Sequence, residues 1–186
     1  MNHSKLLRAV NEQAGIMFTG RINILSSFNH QFLGAVLMIN GEILSSQYKK
    51  FKGLKSLISV VIDESKQQGG FSFVVEPELV TEEIRNIYIS NSIIFKKILE
   101  AFNLHEKLSS QKPPSHLRLQ LVPSFFNERP EIDQDEFEMM NLISEEEYVD
   151  LIYQNDSFLE YEVTKLLMSL RQKEIIKVIS VKEILP

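Results

Sequence analysis

The first 76 residues alternate between short apolar runs and turn signals. Phe18-Thr19-Gly20-Arg21-Ile22-Asn23-Ile24 alternates apolar with polar, which predicts a half-buried strand. Phe32-Leu33-Gly34-Ala35-Val36-Leu37-Met38-Ile39 is apolar on both faces and predicts a central strand. Asn40-Gly41 follows at once, then Glu42-Ile43-Leu44-Ser45-Ser46. An Asn-Gly pair between two such runs predicts a tight hairpin, because a type I′ turn needs two positive φ angles in succession. Ser4 is placed to cap a helix reaching about Gln13, with Leu6, Leu7 and Val10 on one face and Gly15 just past its end. Leu54, Leu57, Ile58, Val61 and Ile62 form one helical stripe, ended by Gly69-Gly70. Phe71-Ser72-Phe73-Val74-Val75 predicts a short strand closed by Glu76-Pro77.

Beyond this point the pattern changes. All seven glycines lie in the first 70 residues, so the rest of the chain reads as mainly helical. Thr81, followed by Glu82 and Glu83, predicts the start of a long helix reaching about Leu104, with a break near Ile89-Ser90-Asn91. Residues 109–141 hold four of the six prolines and the acidic run Glu131-Ile132-Asp133-Gln134-Asp135-Glu136. They read as a linker with one short strand at 117–121. Ser144-Glu145-Glu146-Glu147 and Ser157-Phe158-Leu159-Glu160 have the capping-box form, predicting helices from Glu145 to about Tyr153 and from Leu159 to about Gln172. Ile175–Ile179 predicts a final strand. Helix, turn, helix, strand is the skeleton of a winged helix. The resulting fold class is α+β: an N-terminal antiparallel sheet with packed helices over 1–108, a linker over 109–141, and a small winged-helix-like unit over 142–186.

Charge refines this division. Residues 1–55 carry seven Lys/Arg against two Asp/Glu, whereas residues 128–186 carry six against fifteen. The acidic C-terminal third makes nucleic acid an unfavourable partner there, because phosphate contacts need cations. A recognition helix opened by Glu160 and Glu162 would set like charge against phosphates. The chain has no cysteine, which excludes disulfides and thiolate chemistry. No apolar run is long enough to span a membrane. With no leader in the first residues, the expectation is a cytoplasmic protein without membrane insertion.

Candidate chemistry is sparse. His3, His30, His105 and His116 are isolated, with no metalloprotease spacing. Gly53-Leu54-Lys55-Ser56 ends like a phosphate loop, but Tyr48 stands where the upstream glycine is needed. Asp133-Gln134-Asp135 lacks the glycine and the terminal glutamate of a calcium loop. The carboxylates at Glu136, Glu138 and Glu145–Glu147 read as a solvated linker and a first helical turn. No catalytic residue, cofactor or metal site is expected. The sharper feature is Lys49, Lys50, Phe51, Lys52 and Lys55, a basic cluster with an aromatic, which reads as a solubilising loop before a helix, or as a contact for phosphate or for an acidic surface, that of a protein partner or of the chain's own C-terminal part.

The ordered set of motifs resembles the PATAN (PatA N-terminal-type) domain family. The residues are Thr19-Gly20-Arg21-Ile22-Asn23-Ile24, then Met38-Ile39-Asn40-Gly41-Glu42-Ile43-Leu44-Ser45-Ser46, then Lys52-Gly53-Leu54-Lys55-Ser56-Leu57, then Gly70-Phe71-Ser72-Phe73. Residues 89–102 are similar to the helix that follows in the family, and 142–178 to its winged-helix-like companion. Two glycines of the family pattern are replaced: Gln154-Asn155-Asp156 stands between the last two helices, and Glu174 before the final strand. The resemblance implies a non-catalytic interaction module of bacterial signalling, including control of surface motility and type IV pili. The partner would be another protein. The alternative is a DNA-binding regulator using the C-terminal unit.

Overall fold

The computed structural model describes residues 4–66, 70–123 and 131–179. His3, Gly69, Pro130 and the end of the expected C-terminal unit beyond 179 lie outside them. The chain divides into two compact units, Met1–Leu104 and His105–Pro186.

The first unit is built on a five-stranded antiparallel sheet. Its strands are β1 (Gly20–Ser26), β2 (Phe32–Ile39), β3 (Glu42–Tyr48), β4 (Phe51–Lys52) and β5 (Phe71–Pro77), in the order β4-β3-β2-β1-β5. The doubly apolar β2 does lie in the middle. Ile22 and Ile24 of β1 face the same side as Val36 and Gly34 of β2, and this side is buried. Asn40 and Gly41 both have positive φ, 48° and 80°, as the Asn-Gly hairpin requires. A side chain at Gly41 would also meet Ala14 O at 2.8 Å.

Helices α1 (Lys5–Gly15) and α2 (Gly53–Lys66) belong to this unit. Ser4 caps α1 as predicted: its Oγ accepts from Leu7 N and donates to Glu64 Oε2. Gly15 does not terminate α1 in the left-handed conformation. It stays helical, and Met17 takes that conformation instead, at φ 54°. The predicted stripe of α2 is buried at Leu57, Ile58, Val61 and Ile62. Ser56 adds a buried bond to Ser46 of β3.

Thr81 does not open a long helix. Only one 3-10 turn forms, Glu82–Ile84, and helix α3 starts at Asn91 and runs to Ser109. The intervening backbone is committed elsewhere. Asn86 N and Ile87 N both donate to Leu44 O on the outer edge of β3. Two side chains extend this cover: Asn86 Oδ1 accepts from Ser46 N, and Asn91 Oδ1 accepts from Ile43 N while its Nδ2 donates to Gly41 O. Asparagine thus imitates a strand along an edge where β4 is only two residues long.

The second unit contains β6 (Arg118–Leu121), α4 (Gln134–Glu145), α5 (Val149–Gln154), α6 (Glu160–Gln172) and β7 (Ile176–Ile179). Strands β6 and β7 pair antiparallel. The stretch 109–141 is therefore more than a linker: it supplies β6 and the first two-thirds of α4. Asp133 caps α4 in a reciprocal box with Glu136. The acidic run masks this cap, yet Met139, Met140, Leu142 and Ile143 behind it are all core. Those apolar positions carry the helix through Ser144, which consequently sits in its last turn rather than capping the next helix. Ser157 is likewise not a cap; its N–H donates to Asn155 Oδ1, and Glu162 accepts from Leu159 N at the start of α6. Glu136 is buried, not solvated. It accepts from Ser169 Oγ and from Lys173 Nζ, both at 2.6 Å. Burial pushes its carboxyl up, but Lys173, Ser169 and the Asp133 N–H outweigh that and hold it below the ordinary 4.5.

Candidate functional site at one end of the first sheet

The antiparallel register brings two connections to the same end of the sheet. Leu25 opposite Phe32 closes the β1–β2 loop, and Tyr48 opposite Phe51 closes the β3–β4 turn. Gly34 opposite Tyr48 places these two closures side by side. Lys49 N donates to Leu33 O at 3.1 Å and ties the turn to the start of β2.

The basic cluster lies at this end, but its members have different roles. Lys49 Nζ is 2.6 Å from Asp63 Oδ2 and 5.0 Å from the centre of the Tyr48 ring. Tyr48 OH donates to the same Asp63 oxygen at 2.9 Å. Burial, reinforced by the Asp63 charge, pushes the Tyr48 phenol far above its ordinary value, so it stays a proton donor. Lys49 is therefore occupied in fixing the turn to α2. Lys50 is exposed, with Nζ 5.4 Å from the Phe51 ring centre. Lys52 is exposed on β4, while Lys55 is half-buried in the first turn of α2.

Two aromatics join this end that sequence reading did not single out. Phe28 is 89% exposed in the β1–β2 loop, and Phe32 is 60% exposed at the start of β2. The available signal was Phe28 set within the polar loop Ser26-Ser27-Phe28-Asn29-His30-Gln31, where no core-facing period explains it. Exposed aromatics beside lysines are suited to contact with another macromolecule. Another charged cluster of the unit closes on itself. Arg21 and Asn23 both donate to Glu76 Oε2, and these bonds hold the Glu76 carboxyl below its ordinary range.

Among the described residues, no three His, Asp or Glu side chains are grouped to hold a metal ion, and no helix is long and apolar enough to cross a membrane. His105 is buried, and His30 and His116 are exposed. In the second unit the first turn of α6 carries Glu160 and Glu162. Glu160 is 2.6 Å from Lys112 Nζ. No family model matches the chain, and neither any curated protein nor any solved structure matches it.

Proposed function

We propose that this chain is a non-catalytic protein–protein interaction module, a PATAN-like adaptor of bacterial signalling or of surface-motility and type IV pilus control. The observation that carries the reading is the exposure of Phe28 and Phe32 at the sheet end that also bears Lys50, Phe51 and Lys52. An acidic partner with an apolar centre fits that surface. The aromatics would supply most of the affinity and the lysines the steering.

The PATAN-like reading draws support from where its motifs fall. Gly20 opens β1, Asn40-Gly41 makes the hairpin, Gly53 opens α2 and Phe71 begins β5. The winged-helix-like reading of the second unit is supported by Glu174. It replaces a glycine of the family pattern and adopts φ 57°, the left-handed conformation that favours glycine. The order α4, α5, α6, β7 also agrees. So does a third strand-like segment beside β6: Leu119 N donates to Glu147 O, and Val149 N donates to Leu117 O. In this reading β6, which precedes the helices, occupies the central place of a three-stranded wing sheet, with Tyr148 on one side and β7 on the other.

The experiment is capture from a native lysate with the full chain and with a Phe28→Ser, Phe32→Ser, Lys52→Glu variant of unchanged melting temperature. The reading expects a partner recovered by the first and lost by the second. Retention of every partner by the variant would overturn it. The winged-helix-like order also keeps the DNA-binding reading in view, with Glu160, Glu162 and Asp150 against it. Tight, salt-sensitive gel shifts at low ionic strength would favour that alternative.

A further inference from the structure

A concavity of about 540 Å³ opens in the second unit between α6 and the β6–β7 sheet. Its floor is Leu119 and Ile176, both nearly fully buried. The pairing of Leu119 with Val178 and of Leu121 with Ile176 puts the apolar side chains of both strands on one face. The opposite wall is Thr164, Leu167, Met168 and Arg171 of α6. That spacing is i, i+3, i+4, i+7, the stripe a helix ordinarily turns toward a core. Here the core covers only part of it: Thr164 and Leu167 are buried, whereas Met168, and Val178 on the facing strand, are each 44% exposed.

The polar groups of the wall are few. Thr164 Oγ1 already bonds to Tyr153 OH and to Glu160 O. Arg171 remains, and it pairs with no carboxylate among the described residues; Lys177, paired with Gln120, turns its side chain to the other face of the strand. Glu174 is the single carboxylate of the lining. An apolar trough with a guanidinium on its wall that no described carboxylate pairs is complementary to a molecule with an apolar body and one negative head. Its volume falls in the range of small-molecule sites, and a guanidinium matches a carboxylate with two parallel hydrogen bonds.

We infer that this trough binds a single-chain amphiphilic carboxylate, with its tail along Leu119, Ile176 and Leu167 and its head at Arg171. This site lies in the second unit and does not depend on the partner surface proposed for the first.

The test is methyl and amide NMR of the full chain titrated with sodium decanoate, with decanol and phosphatidylglycerol vesicles as separate arms. Saturable shifts at Met168, Val178 and Leu119 are expected with decanoate. Arg171→Glu should weaken binding about tenfold, the size of a lost charged hydrogen bond. Val178→Trp, a change at an exposed position that fills the trough, should abolish it. Decanol should bind about tenfold more weakly than decanoate for the same reason. No saturable shift at millimolar decanoate, equal affinity of the Arg171→Glu variant, or equal binding of decanol would each overturn the inference. Shifts produced by the vesicles and not by free decanoate would overturn it as well, since they would assign the surface to a bilayer.

Discussion

Two lysine–carboxylate pairs have the same separation, 2.6 Å, and very different standing. In the first unit, Lys49 meets Asp63 with side chains 52% and 22% exposed. In the second, Lys173 meets Glu136 with the carboxylate 3% exposed. Water screens the first pair and is excluded from most of the second. Distance therefore ranks neither; burial does. The first pair fixes a turn at the rim of the proposed partner surface. The second holds α4 to the end of α6, with its carboxylate buried and its lysine 34% exposed.

Removing the lysines in turn should separate the two cases. Lys173→Ala strands a buried carboxylate, and a loss of roughly 2–3 kcal/mol is expected in chemical denaturation. The polar seal on β3 is an uncharged point of comparison. Asn86→Ala leaves Ser46 N without its acceptor and should cost about 2 kcal/mol, with faster amide exchange at Ser46. Acid should act on the second unit through Glu136. Because its folded value lies below the ordinary one, its stabilisation is present above the ordinary glutamate value and is lost as pH falls through the folded value. Near-ultraviolet circular dichroism against pH would register the loss, and Lys173→Ala should move the transition to higher pH. Lys49→Ala should cost least, about 0.5 kcal/mol, and the cost should shrink in high salt. Equal losses for Lys49→Ala and Lys173→Ala would break the comparison.

The same contrast explains which features sequence could disclose. Strands β1, β2, β3 and β5, the Asn-Gly turn and α1 and α2 were legible because each is set by local periodicity or by a φ requirement. Helix α4 was not, because its capping residues Asp133 and Glu136 lie inside an acidic run that has the composition of a solvated linker. Only the apolar spacing of Met139, Met140, Leu142 and Ile143 betrays it. The premature helix start at Thr81 failed for a tertiary reason: Asn86 and Asn91 are used as edge partners of β3, and no local rule states that. At the candidate site, Lys49–Lys55 were visible as a run. Phe28 and Phe32 were not, because their place beside that run depends on strand register. Nor does the run itself reveal that Lys49 is held by Asp63, fourteen residues along the chain.

The central claim is that the aromatic and basic end of the first sheet docks an acidic partner. It is tested most directly by titration calorimetry of the captured partner against the full chain and against Phe28→Ser/Phe32→Ser. The account predicts that affinity falls by about tenfold or more when the rings are removed. It also predicts a smaller, salt-dependent fall for Lys52→Glu. An affinity unchanged in both variants, at matched melting temperature, would contradict it.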